Sequence, residues 1–142
     1  METADVRKRI TETIAAAKRR AAERRRRNAD AGAAYARFLD EIAIPLFHQA
    51  AGVLKAEGYA FVVNTPGGAV QLVSGRSGED MIELALDTTG REPEVVARIR
   101  RVKGRESVSE ERPLRPGVLV DQLGEQDVMD LLAEALVPFV EK

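Results

Sequence analysis

The chain predicts an α+β fold: a long N-terminal helix, a five-stranded antiparallel β-meander and a C-terminal helix. Three features of the sequence carry that prediction. Apolar residues recur at helical spacing from Ile10 to Leu46. After Tyr59 the period changes to alternation, and five short runs of that kind follow one another across brief turns. Helical spacing then returns over residues 124–142. With 142 residues the chain can build one core of ordinary size. Aromatics make up only 4% of it, so Leu, Val, Ile and Ala must fill that core.

Residues 3–57 read as helix, because Ala, Arg, Lys and Glu dominate and all are good helix formers. Ile10, Ile14, Ala17, Ala21, Asn28, Tyr35, Leu39, Ile42 and Leu46 fall on one side. Two breaks are expected as candidates. "NADAG" over residues 28–32 gathers residues that favour caps and turns. Pro45 cannot donate to the residue four before it, so a kink or a restart is expected there. Gly58 has the place of a C-terminal cap. Unbroken, such a helix is about 80 Å long at 1.5 Å per residue, more than the remaining residues can cover. Residues 1–32 are therefore expected to form a basic helical arm for oligomerisation or anion binding, and residues 33–142 an α+β globular domain.

"YAFVVN", "AVQLVS", "MIELALD", "EVVARIR" and "ESVSEER" supply the five strands. The turns between them are short, which demands antiparallel neighbours. Matching apolar residues across each turn sets Val63 opposite Val70, Phe61 opposite Leu72, Leu72 opposite Ile82, Val70 opposite Leu84, Ile82 opposite Ile99, Leu84 opposite Ala97, Leu86 opposite Val95 and Ile99 opposite Val108. The same registers place Glu83 against Arg98 as a cross-strand ion pair. The fifth strand is rich in charge, as suits an edge that resists aggregation. "RPLRPGVLV" (112–120) reads as a loop or short extended piece. In the terminal helix, Glu125 and Asp127 suit the positive end of the dipole, and Pro138 is expected to kink or end it early.

Charge is unevenly spread. The net charge is −1, yet residues 7–27 hold ten Lys and Arg against two Glu. Within them Lys18, Arg19, Arg20, Arg24, Arg25, Arg26 and Arg27 form the candidate anion-binding or nucleic-acid-binding cluster. Three uses compete: a solvated helix face beside a coiled-coil seam, binding of an anionic polymer, and contact with a membrane surface. No helix-turn-helix pattern, zinc ligand set or aromatic platform accompanies the cluster. The candidate self-association stripe is Ile10, Ile14, Ala17, Ala21, Asn28 and Tyr35, with Asn28 either a buried register-setting residue or the cap of a break.

Other chemistry finds little support. There is no cysteine, so disulfides, thiolate metal sites and a cysteine nucleophile are excluded. His48, the one histidine, has no constellation around it and is expected to be a packing or boundary residue. The glycines of "NTPGGAV" and "SGRSGED" belong to hairpin turns and lack the ending of a phosphate loop. Carboxylates around Glu83 and Asp87 alternate along a strand and do not converge as a calcium cage. Arg98, Arg100, Arg101, Lys103 and Arg105 form a second basic group that Glu106, Glu110 and Glu111 can neutralise.

No stretch approaches the roughly 20 apolar residues of a membrane span. The first residues lack the apolar middle of a secretory signal, and Glu2, Asp5 and Glu12 oppose a transit peptide. A cytoplasmic location, with no cofactor and no metal, is expected. The expected function is non-enzymatic: a homo-oligomeric adaptor or scaffold that binds a protein partner. The alternative is a nucleic-acid-binding protein that uses residues 7–27.

Overall fold

The fold, from a computed structural model that describes residues 1–141, is α+β. Helix α1 (Thr3–Phe38) passes through a π-helical turn (Leu39–Ala43) into α2 (Ile44–Ala56). The candidate break over residues 28–32 does not occur. Asn28, Asp30 and Gly32 each disfavour helix by about 1 kcal/mol or less, and Ala29, Ala31 and Ala33 alternate with them. From Ala31 onward the helix also packs on the body, which offsets the local penalty.

Pro45 does perturb the helix. Its ring has no N–H and would strike the carbonyl of Glu41 in a regular α-helix. The chain widens the turn before it instead. The Ile44 N–H reaches back five residues to the Leu39 carbonyl, and α2 begins with Pro45 in its first turn, where proline is tolerated. At the other end Gly58 caps α2 as expected, with φ +94°. The Tyr59 N–H donates to the Leu54 carbonyl and the Gly58 N–H to that of Lys55, at 2.8 and 3.1 Å, a Schellman closure.

Strands β1 (Phe61–Asn64), β2 (Val70–Ser74), β3 (Met81–Asp87), β4 (Glu94–Lys103) and β5 (Glu106–Pro113) form one antiparallel sheet in sequence order. The expected registers hold for β2 with β3 and for β3 with β4: Leu72 opposes Ile82, Val70 Leu84, Ile82 Ile99, Leu84 Ala97 and Leu86 Val95. The two outer hairpins are offset by two residues. Val63 opposes Leu72 rather than Val70, so Phe61 opposes Ser74. The reason is the turn: Gly67 (φ +40°) and Gly68 (φ +82°) occupy both left-handed central positions, and Ala69 N–H closes onto the Pro66 carbonyl. In the last hairpin Gly104 (φ +66°) takes the first central position, so Lys103 pairs with Glu106 and Ile99 opposes Glu110 instead of Val108. Both shifts are even-numbered, so every side chain stays on its expected face.

A short 3₁₀ turn (Val120–Gln122) leads to α3 (Glu125–Val140). Asp127 reaches back from the first turn of α3 and accepts the Gly124 N–H at 2.9 Å. Pro138 does not end α3 early; the helix continues to Val140. Helices α2 and α3 lie on one face of the sheet, α2 over β1 and β2 and α3 over β4. Val70, Leu72, Ile82, Leu84 and Ala97 from the sheet meet Phe38, Phe47, Val128, Leu132 and Phe139 from the helices in one continuous core. The phenyl rings of Phe61 and Phe139 meet edge to face with centroids 6.0 Å apart, closing one end of it.

Candidate interaction surfaces

Two surfaces have no cover among the described residues. The first is the N-terminal arm. Every residue of α1 before Ala31 is exposed except the half-buried Ala16, Ala21 and Asn28, and full burial begins at Ala34. The helical residues before Arg20, where the arm first faces the β3–β4 turn, thus project about 25 Å beyond the body at 1.5 Å each. Val6, Ile10 and Ile14 are 43%, 54% and 49% exposed along one side. Ala17 and Ala21 continue the stripe with small side chains. Tyr35, at the body end of the same stripe, is only 6% exposed. Its ring packs 6.4 Å from that of Phe38, so the chain uses Tyr35 in its own core.

The seven basic side chains of the cluster over residues 18–27 are all exposed. Arg27 alone among them forms an ion pair among the described residues, with Glu92 at 3.4 Å. Lys18, Arg19, Arg20, Arg24, Arg25 and Arg26 have no charged partner there. Good helix propensity keeps the arm helical while repulsion among these cations opposes it.

The second surface is the sheet face opposite the helices. Its middle is a row of polar residues in register: Asn64, Gln71, Glu83, Arg98 and Glu111, one from each strand. The Gln71 amide donates to Glu83 Oε2 at 2.6 Å. Arg98 donates to Glu83 Oε1 at 3.0 Å and to Glu111 Oε2 at 3.2 Å. These bonds, first to Glu83 and then to Glu111, raise the Arg98 guanidinium above its ordinary pKa. Glu83 is buried although it lies on the open face, bonded on either side by Gln71 and Arg98. Apolar rows flank the polar one: Val62, Val73 and Met81 on one side, Ala85 and Pro113 on the other beside the buried Val96. The Glu83–Arg98 pair appears as the sequence predicts. Of the second basic group, Arg98 is neutralised by Glu83 and Glu111, while Arg100 donates to the Glu79 carbonyl at 3.0 Å.

His48 is exposed on α2. Among the described residues no group of His, Asp and Glu is placed to hold a metal ion, and no helix is long and apolar enough to cross a membrane. Asp87 turns its carboxylate onto the hydroxyl and N–H of Thr89, at 2.6 and 2.9 Å, which lowers its pKa. Fold and surfaces together define an α+β body that carries a projecting basic helix. Comparison with known protein families, with curated proteins and with solved structures finds no match.

Proposed function

We propose that the protein is a non-enzymatic adaptor or scaffold that self-associates through its helical arm and holds a protein partner on its body. The supporting observation is the exposed stripe of Val6, Ile10 and Ile14 on a helix that has left its own core. An apolar stripe on an otherwise charged helix is stabilised by a partner that removes it from water. The charge pattern favours an antiparallel partner arm. Residues 1–17 carry three acids, Glu2, Asp5 and Glu12, and three bases, whereas residues 18–27 carry seven bases and one acid. Two arms crossing antiparallel near Ile10 and Ile14 set Glu2 and Asp5 of one copy beside the basic cluster of the other. A parallel pair sets the two clusters side by side. The open sheet face, with its apolar rows about a fixed polar row, is the surface offered to the partner protein.

Light scattering at micromolar concentration tests this on the whole chain and on a chain lacking residues 1–30. The expected result is an oligomer that the truncation dissociates. A strict monomer in both cases contradicts it.

A second function, binding of a nucleic-acid backbone by residues 7–27, is favoured by one observation: six of the seven clustered cations have no charged partner among the described residues. It predicts binding that weakens steeply as salt rises.

A further inference from the structure

The basic cluster is not confined to the arm. Arg20, Arg24 and Arg27 follow each other at spacings of four and three, which places them on one side of α1. That side is continuous with Ala31, Ala34 and Phe38, so just outside the body it looks toward the sheet's end. There the turn between β3 and β4 comes up to meet it, touching it at the exposed Arg27–Glu92 contact between residues 65 apart in sequence. The two walls enclose an open cleft of about 860 Å³. Arg20, Arg24 and Arg27 line one wall and Arg91 the other, with Glu23 and Glu92 as the acids. Arg27 and Glu92 neutralise each other. Three guanidiniums then face one carboxylate, and none of the three has an ion-pair partner among the described residues.

We infer that this cleft binds the phosphodiester backbone of a nucleic acid, with Arg91 of the β3–β4 turn completing a site that Arg20 and Arg24 begin. The inference rests on the second function above and narrows it to a place. Three features select the ligand. Arginines outnumber lysines six to one in residues 18–27, and the planar guanidinium fork matches phosphate oxygens two at a time. Between Lys18 and Asn28 the uncharged residues are Ala21 and Ala22, so the cluster offers no apolar anchor of the kind a protein partner needs. Thr88, Thr89, Asn28 and Gly90 complete the lining without an aromatic ring, so bases have nothing to stack on and the backbone is what is held. Lys18 to Arg27 span roughly 14 Å of helix, about four nucleotide steps of 3.4 Å along one strand.

The test is fluorescence anisotropy on the full chain, with a labelled 20-nucleotide single strand and the matching duplex as probes. If Arg20, Arg24 and Arg91 each neutralise one phosphate, duplex affinity falls at least about 40-fold between 50 and 200 mM salt. Arg91→Ala leaves two contacts, so its loss over the same range is about 3.5-fold smaller than that of the unaltered chain. Arg91 is exposed, and far-ultraviolet circular dichroism shows whether the variant keeps its fold. The probe bound more tightly identifies a duplex or a single-stranded source. Absence of binding to both at 50 mM salt overturns the inference and the second function together. Equal salt dependence for Arg91→Ala and the unaltered chain, with binding lost in R20A/R24A, overturns the cleft and leaves the arm as a simple cationic surface. Displacement of the oligonucleotide by poly-glutamate at equal charge concentration overturns the ligand class in favour of an acidic peptide.

Discussion

The Tyr35 hydroxyl donates a hydrogen bond to the carbonyl of Gly68, 2.5 Å away, and so ties the long helix to the tip of the first hairpin. That bond sits where α1 leaves the body. Removing the hydroxyl alone, in Tyr35→Phe, keeps the ring beside Phe38 and leaves the carbonyl without its donor. The expected loss is about 1 kcal/mol of unfolding free energy, read from urea denaturation.

The same phenol gives stability an alkaline limb. Burial first, and the Glu83 carboxylate second, push the Tyr35 pKa from 10.0 up to about 12. In the unfolded chain a tyrosine ionises near pH 10. The raised folded value means that the contribution is complete below about pH 10 and is lost as pH climbs toward 12. Denaturation series at pH 9 and pH 11.5 should show the unaltered chain losing more stability than Tyr35→Phe. Equal losses in the two proteins would contradict a buried neutral phenol.

Gly68 has a second duty, because its φ of +82° lies where side chains are strained. Gly68→Ala should destabilise by about 1–2 kcal/mol, although nothing crowds the new methyl group. Gly90, in the β3–β4 turn, has no such φ, and an added Cβ meets only the Glu92 carbonyl at 3.9 Å. Gly90→Ala should therefore stay within about 0.5 kcal/mol, and comparing their thermal midpoints checks the contrast.

On the open sheet face, Glu83 and Glu111 both bind Arg98 but differ in surroundings. The Glu83 side chain is 11% exposed and also accepts from Gln71, whereas that of Glu111 is 50% exposed on the edge strand. Glu83→Ala leaves the Gln71 amide without its acceptor and Arg98 with Glu111 alone, and should destabilise by about 1–3 kcal/mol. Glu111→Ala breaks an exposed pair and should change stability by about 0.5 kcal/mol or less. A denaturant midpoint for each variant separates them.

Where local rules act alone the sequence is readable, and where distant parts meet it is not. Val70–Leu84, Ile82–Ile99 and Glu83–Arg98 follow from alternation, since central strands must match apolar and charged partners. The outer hairpins are harder because apolar matching tolerates an even shift; the positive φ of Gly67, Gly68 and Gly104 decides the register. Continuation of the helix through Asn28–Gly32 needs packing at Ala31 and Ala34, which no local propensity reveals. The π-helical turn before Pro45 reports a clash that composition announces, but its relief could equally have been a kink. The basic cluster is plain in the sequence. Its convergence with Arg91 is not, because the β3–β4 turn reaches the arm only in the folded chain.

The central claim is that a second copy covers the stripe of Val6, Ile10 and Ile14. The chain has no cysteine, so Ala15→Cys carries a single spin label on the exposed flank of the arm, away from that stripe. Paired helices lie about 8–10 Å apart, so two such labels in an oligomer should give a defined dipolar distance below about 40 Å. A decay no different from randomly dispersed single chains at the same concentration would contradict the claim.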